Sequence, residues 1–245
     1  MRELVPRNED SWALIRRQDQ VNSNLALFIH GFRGAHLTTW GKLPDMLEKA
    51  ADNDQDFANW DFLFLGYNTW KVQTYLDIAK PIITEWRNAQ SGARPYDRKY
   101  TKLALFGHSL GTLGIRQLLC AWSGQPANML GSLHSITLFG TPLNGSTWAT
   151  LGYLSGYKIA AALKPENPQL RMLKAWTDSA HAIQPWPPIR LVLGQDDQVV
   201  GNKFVELIRW HGDDPADHTG FDHGDLVKPP IWRSKVIDII GRGLR

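Results

Sequence analysis

Five short apolar runs recur along the chain: LALFIH (25–30), DFLFLGY (61–67), KLALFG (102–107), SITLFG (135–140) and IRLVLG (189–194). Each is bounded by turn-forming residues, and almost no polar position alternates within them. That pattern predicts strands covered on both faces, as in a parallel sheet, rather than strands with one wet face. Between the runs the apolar period becomes helical. Tyr75, Ile78, Ala79, Ile82, Ile83 and Trp86 form one stripe, Ile115, Leu118, Leu119 and Trp122 a second, and Trp232, Val236, Ile239 and Ile240 a third. These are the core-facing sides of amphipathic helices. Pro81 removes an amide donor from the first of them and is expected to kink or restart it.

Strands alternating with helices imply right-handed βαβ crossovers. The fold class is therefore α/β, a doubly wound, mostly parallel sheet with helices on both faces. Neither an internal repeat nor a low-complexity linker interrupts the pattern, so residues 1–245 read as a single domain. Residues 143–188 are too long for a simple crossover and carry WATLGYLSGYKIAAAL and NPQLRMLKAW. They predict a helical insertion over the carboxyl edge of the sheet, where ligands bind in such folds.

Composition narrows the function classes. With 43% hydrophobic and 21% charged residues in 245, the chain has the balance of a globular protein. Eleven tryptophans predict aromatic core and pocket walls. The net charge of +3 comes from scattered basic residues, without the stripe that nucleic-acid binding needs. No apolar run approaches a membrane span, and MRELVPRNEDSWALIRRQ lacks the apolar centre of a secretion signal. No integral membrane segment is expected, although peripheral membrane contact stays open. The single cysteine, Cys120, lies in a helical pattern and reads as a buried thiol in a cytoplasmic protein.

The third strand runs directly into Gly107-His108-Ser109-Leu110-Gly111 and then into a helical pattern. G-x-S-x-G between a strand and a helix has the form of a nucleophile elbow. A tight turn there lifts the serine Oγ above the sheet, flanking glycines let neighbouring backbone approach, and the helix N-terminus favours developing negative charge. The bland alternative is a serine in an ordinary turn. The first strand ends in His30-Gly31-Phe32-Arg33-Gly34. Its Phe32 amide, with that of Leu110, is a candidate oxyanion hole; otherwise this is a glycine-rich strand exit without a ligand.

With these motifs in hand the chain resembles the serine esterases and lipases of the α/β-hydrolase fold. Within them it is most similar to the branch containing the serine-active-site-containing proteins and GPI-inositol deacylase. The resemblance rests on LFIHGFRG, DFLFLGYNT, LALFGHSLG, LFGTPLNGS and DHGDLVKP, and spans about residues 24–240. It implies an acid after the strand that follows the insertion, and then a histidine. In IRLVLGQDDQVVG the family spacing matches Asp197, set between Gly194 and Val200, with Asp196 as alternative; Gly201 departs from the usual proline. The family's histidine lies five residues before Lys-Pro, which selects His223 before Lys228-Pro229, with His218 second and His211 third. An Asp-rich loop bearing three histidines can also be read as a metal site or as a solvated turn.

The order Ser109, Asp197, His223 is that of α/β hydrolases. The resemblance implies hydrolysis of a small-molecule or lipid ester through an acyl-enzyme, without cofactor or metal. Acyl transfer to another acceptor, peptide or amide cleavage, and an inactive binding module are the competing readings. Trp148, Leu151, Tyr153, Leu154 and Tyr157 of the insertion suit either a lid over an acyl pocket or ordinary helix packing.

Overall fold

The computed structural model describes residues 12–16, 21–123, 125, 128–146, 149–165, 167–200, 217–231 and 233–245. Seven strands form one sheet: β1 (Ala13–Ile15), β2 (Asn24–Ile29), β3 (Trp60–Leu65), β4 (Lys102–His108), β5 (Leu133–Phe139), β6 (Ile189–Gly194) and β7 (Asp217–Thr219). They lie in the order β1-β3-β2-β4-β5-β6-β7. Every pairing is parallel except that of β1 with β3. The helices are α1 (Leu43–Asn53), α2 (Gln55–Ala58), α3 (Leu76–Ser91), α4 (Leu110–Trp122), α5 (Asn128–Gly131), α6 (Ala149–Leu154), α7 (Lys158–Ala162), α8 (Pro168–Ile183) and α9 (Lys235–Leu244).

The missing polar alternation has a direct structural counterpart, because both faces of each central strand are dry. In β2, Leu25, Leu27 and Ile29 face one core, with α3, α4 and the apolar sides of α7 and α8. Ala26 and Phe28 face the other, with α1 and α9. The two cores differ in kind. The first is largely aliphatic where it touches the sheet. The second carries a row of rings across three strands, set by register: Phe28 pairs with Phe64 on one side and Phe106 on the other. Their centroids are 4.7 and 4.8 Å apart and nearly parallel, and Trp40 meets Phe28 edge-on at 5.4 Å. Such pairs add roughly 0.5–1.5 kcal/mol each beyond their buried area.

Four local features differ from the sequence pattern. The edge strands β1 and β7 are three residues each, too short to carry a period, and exist through their pairing alone. Pro81 sits inside α3 without dividing it. The helix of the third stripe, α9, begins at Lys235 with Ser234 at its N-cap position and carries Val236, Ile239 and Ile240; Trp232 lies outside the described residues. Cys120 is partly rather than fully buried, its Sγ 3.7 Å from Thr177 Oγ1, and burial pushes its thiol pKa up.

Polar order at the amino edge of the sheet comes from Asp61, a fully buried residue of β3. Asn22 donates to its Oδ1 at 2.9 Å, while Tyr100 Oη and Arg98 Nη1 reach Oδ2 at 2.6 and 3.3 Å. Removing one member of a buried ion pair strands the rest. Asp61→Ala should therefore cost roughly 3–5 kcal/mol, and Asp61→Asn, which keeps an acceptor for Tyr100, less. Urea unfolding measures both; an unchanged midpoint for Asp61→Ala would show that the network adds no net stability.

Candidate active site

β4 ends at His108, and Ser109 follows with φ 52° and ψ −124° before α4 begins. A side-chain-bearing residue in this region is strained, and the neighbours hold it there. The Ser109 amide donates to the Phe139 carbonyl at 2.9 Å, tying the turn to the end of β5. On the other side the exit of β2 presses against the turn. A Cβ on Gly31 would stand 2.6 Å from Ser109 Cβ, and one on Gly111 would run into the carbonyls of Ile29 and His30. Only glycine fits at 31 and 111 because two backbone segments meet there. Although Ser109 occupies the N-cap position of α4, its hydroxyl makes no capping bond.

Asp197 follows β6 and His223 follows β7, so both rise from the same carboxyl edge as Ser109. His223 Nδ1 lies 2.7 Å from Asp197 Oδ2. Asp197 is almost wholly buried, and its Oδ1 accepts the amides of Val199 and Val200 at 2.9 and 3.1 Å. These three contacts leave the carboxylate little freedom. Asp196, by contrast, is exposed. Of the other histidines, His211 lies outside the described residues, and His218 sits on β7 beside Leu193 with its side chain outside them.

His108, merely the variable position of the elbow motif, ties the two halves of the site together. Its Nε2–H donates to the His223 carbonyl at 2.8 Å, and the two rings lie 4.8 Å apart. Burial, with His223 nearby, lowers its pKa to about 3, so the ring is neutral. A second buried histidine, His30, braces the β2 exit. As a neutral ring it donates from Nδ1 to the Gly31 carbonyl at 2.8 Å and accepts the Tyr67 amide at Nε2 at 3.1 Å. Tyr67 stacks on it at 4.1 Å and returns its hydroxyl to the His30 carbonyl at 2.8 Å. Burial lowers the His30 pKa to about 4. The loop so braced closes with Gly34 N–H donating to Gly31 O at 3.1 Å, which puts Arg33 at φ 55°. Among the described residues, no backbone carbonyl takes up the amide of Phe32 or that of Leu110.

The insertion between β5 and β6 divides its work. α8 packs along α4 and contributes Leu170, Leu173 and Ala180 to the aliphatic core. The α6–α7 part reaches the site: Tyr157 meets Phe32 edge-on at 4.7 Å and stacks on Trp70 at 3.9 Å. Tyr153 and Leu154 are exposed. Trp148 lies outside the described residues, as does the side chain of Leu151. Sequence reasoning missed the roles of His108, Tyr67 and Trp70. No motif spacing marks them, since each acts through a neighbour distant in sequence.

This architecture is an α/β-hydrolase fold, with the candidate residues on the loops that leave its carboxyl edge. Solved structures that share it include a lipase, BlEst2, of Bacillus licheniformis in its propeptide form (TM-score 0.66, 14% identity, 96% of this chain and 53% of that one). An esterase structure from Rhizomucor miehei matches with TM-score 0.66 and 13% identity over 99% of this chain and 82% of that one. The phospholipase PlaB of Legionella pneumophila matches with TM-score 0.53 and 19% identity over 70% of this chain. The chain spans 38% of the length of PlaB and 53% of the propeptide-form lipase. No protein-family model matches the sequence, and no curated protein matches it.

The two buried histidines generate a prediction. Their folded-state pKa values, about 4 for His30 and about 3 for His108, lie below the 6.5 of a free imidazole, so the unfolded chain binds protons more tightly. Their neutral burial is fully stabilising above pH 6.5 and is lost as the pH falls through the window from 6.5 towards 4 and 3. Each contributes a slope of about 1.4 kcal/mol per pH unit there. The urea midpoint should drop between pH 7 and pH 5, and His108→Asn should make the decline shallower. Equal midpoints at the two pH values would contradict the neutral, buried assignment.

Proposed function

We propose that the chain is a serine hydrolase that cleaves carboxylic esters through Ser109, His223 and Asp197, acting as a single domain over residues 1–245. One observation carries the reading: the 2.7 Å contact of His223 Nδ1 with Asp197, on the same edge as a serine held at φ 52°. With Nδ1–H engaged by Asp197, Nε2 is the basic nitrogen. It takes the proton of Ser109 Oγ as that oxygen attacks the ester carbonyl, and Asp197 stabilises the imidazolium that forms. The tetrahedral oxyanion accepts from the Phe32 and Leu110 amides, with the N-terminus of α4 adding its dipole. Collapse of the intermediate expels the alcohol, which leaves with the proton from Nε2. Water, deprotonated by the same nitrogen, then attacks the acyl-enzyme and releases the carboxylic acid and Ser109. The cycle calls for no cofactor or metal.

An ester, rather than an amide, is favoured by the names of the fold relatives, which are lipases, esterases and phospholipases. The narrower kinship with the GPI-inositol deacylase branch rests on LFIHGFRG and DHGDLVKP. No described helix is long and apolar enough to cross a membrane. A cytoplasmic location is part of the proposal and rests on cysteine usage.

Ser109→Ala should lower kcat on p-nitrophenyl esters by on the order of 10⁵–10⁶-fold and abolish labelling by a fluorophosphonate. Asp197→Asn should cost about 10⁴-fold, through the wrong imidazole tautomer. His223→Ala should be nearly as inactive as the serine variant, and His218→Ala should keep most activity. Undiminished labelling of folded Ser109→Ala protein would overturn the assignment.

A further inference from the structure

Beside the β2 exit lies a cleft of about 460 Å³, within the range of small-molecule sites. Its walls include Arg33, His36, Asn68, Thr69, Trp70 and Tyr157, and no aspartate or glutamate is among the residues lining it. The cleft does not open on Ser109 itself. His30, Arg33 and Gly34 line it, so it flanks the turn that carries the Phe32 amide.

Arg33 is an exposed side chain that lines this cleft. Its backbone is fixed at φ 55° by the closed turn, and its guanidinium carbon lies 5.9 Å from the centroid of the Tyr157 ring. That ring is itself clamped between Phe32 and Trp70. A π contact orients a guanidinium while leaving its in-plane N–H donors to other acceptors. Among the described residues no carboxylate pairs with it. A positioned cation in a concave, acid-free cleft next to an ester site suits an anionic group on the substrate, which it can hold with paired charge-assisted hydrogen bonds.

We infer that this cleft is a subsite for an anionic group, a phosphate or a carboxylate, carried by the ester substrate, with Arg33 as its principal contact. The inference rests on the ester-hydrolase reading and names the substrate class of that same site. Binding energy from a group remote from the reacting bond then aligns the carbonyl with Ser109.

Two matched pairs of esters test it and separate the two sources of charge. Dibutyrylglycerol phosphate against dibutyrylglycerol places a phosphate on the alcohol side. The p-nitrophenyl monoester of adipic acid against p-nitrophenyl hexanoate places a carboxylate on the acyl side. Wild-type protein should prefer the anionic member of one pair by about tenfold or more in kcat/KM. Added salt should erode that preference. Arg33→Gln should bring the ratio close to one, and Arg33→Lys should retain part of it. Asn68→Asp keeps an acceptor for the Trp70 amide while adding a carboxylate to the cleft, and should lower the ratio independently. Hydrolysis of all four esters without an anion preference, or a preference that survives in folded Arg33→Gln and Asn68→Asp, overturns the subsite alone. Absence of wild-type turnover on every ester overturns the hydrolase reading and the subsite with it.

Discussion

At the top of β4 the backbone turns through a left-handed residue with almost no room on either side. Ser109 donates its amide to Phe139 of the next strand, and Gly31 of the preceding one stands against its Cβ. Everything else in the site is arranged around this crowding. A strained serine persists only where its neighbours over-determine it. Here they are three adjacent parallel strands ending on one edge, a consequence of register. The same register aligns Phe64, Phe28 and Phe106 across the sheet beneath, so one set of pairings sets both the ring row of the core and the relative heights of the strand ends.

Buried neutral histidines form a second layer of support. His30 and His108 occupy places where a charged ring would be strongly disfavoured; His30 engages backbone through both ring nitrogens and His108 through Nε2. His108 links the elbow to the loop bearing His223, and His30 links the exits of β2 and β3. Because both stay uncharged, they position the elbow and the candidate oxyanion loop without adding positive charge beside His223. In the proposed cycle the only imidazolium is the one that forms on His223, opposite Asp197.

The surroundings of the site are built from loops that converge from far apart in sequence. Tyr157 from the insertion, Trp70 from the loop after β3 and Phe32 from the loop after β2 meet as one aromatic cluster, with Arg33 beside it. The insertion is thus half structural, through α8 against α4, and half a wall of the site.

Much was legible in the sequence by itself. Unbroken apolar runs meant strands dry on both faces, the change to helical period meant crossovers, and together they determined the α/β class. G-H-S-L-G between a strand and a helix marked Ser109, because the elbow is a local motif whose strain is written in adjacent glycines. Family spacing favoured Asp197 over Asp196 and His223 over His218, but spacing alone left each pair open. Tertiary structure brought Asp197 to His223, since Asp197 is buried against the imidazole while Asp196 faces water once β6 is seated. It also decided the edge strands, the bracing by His30 and His108, and the cleft at Arg33. All of these are contacts between segments tens of residues apart, and local pattern carries no record of what a distant segment will place beside it.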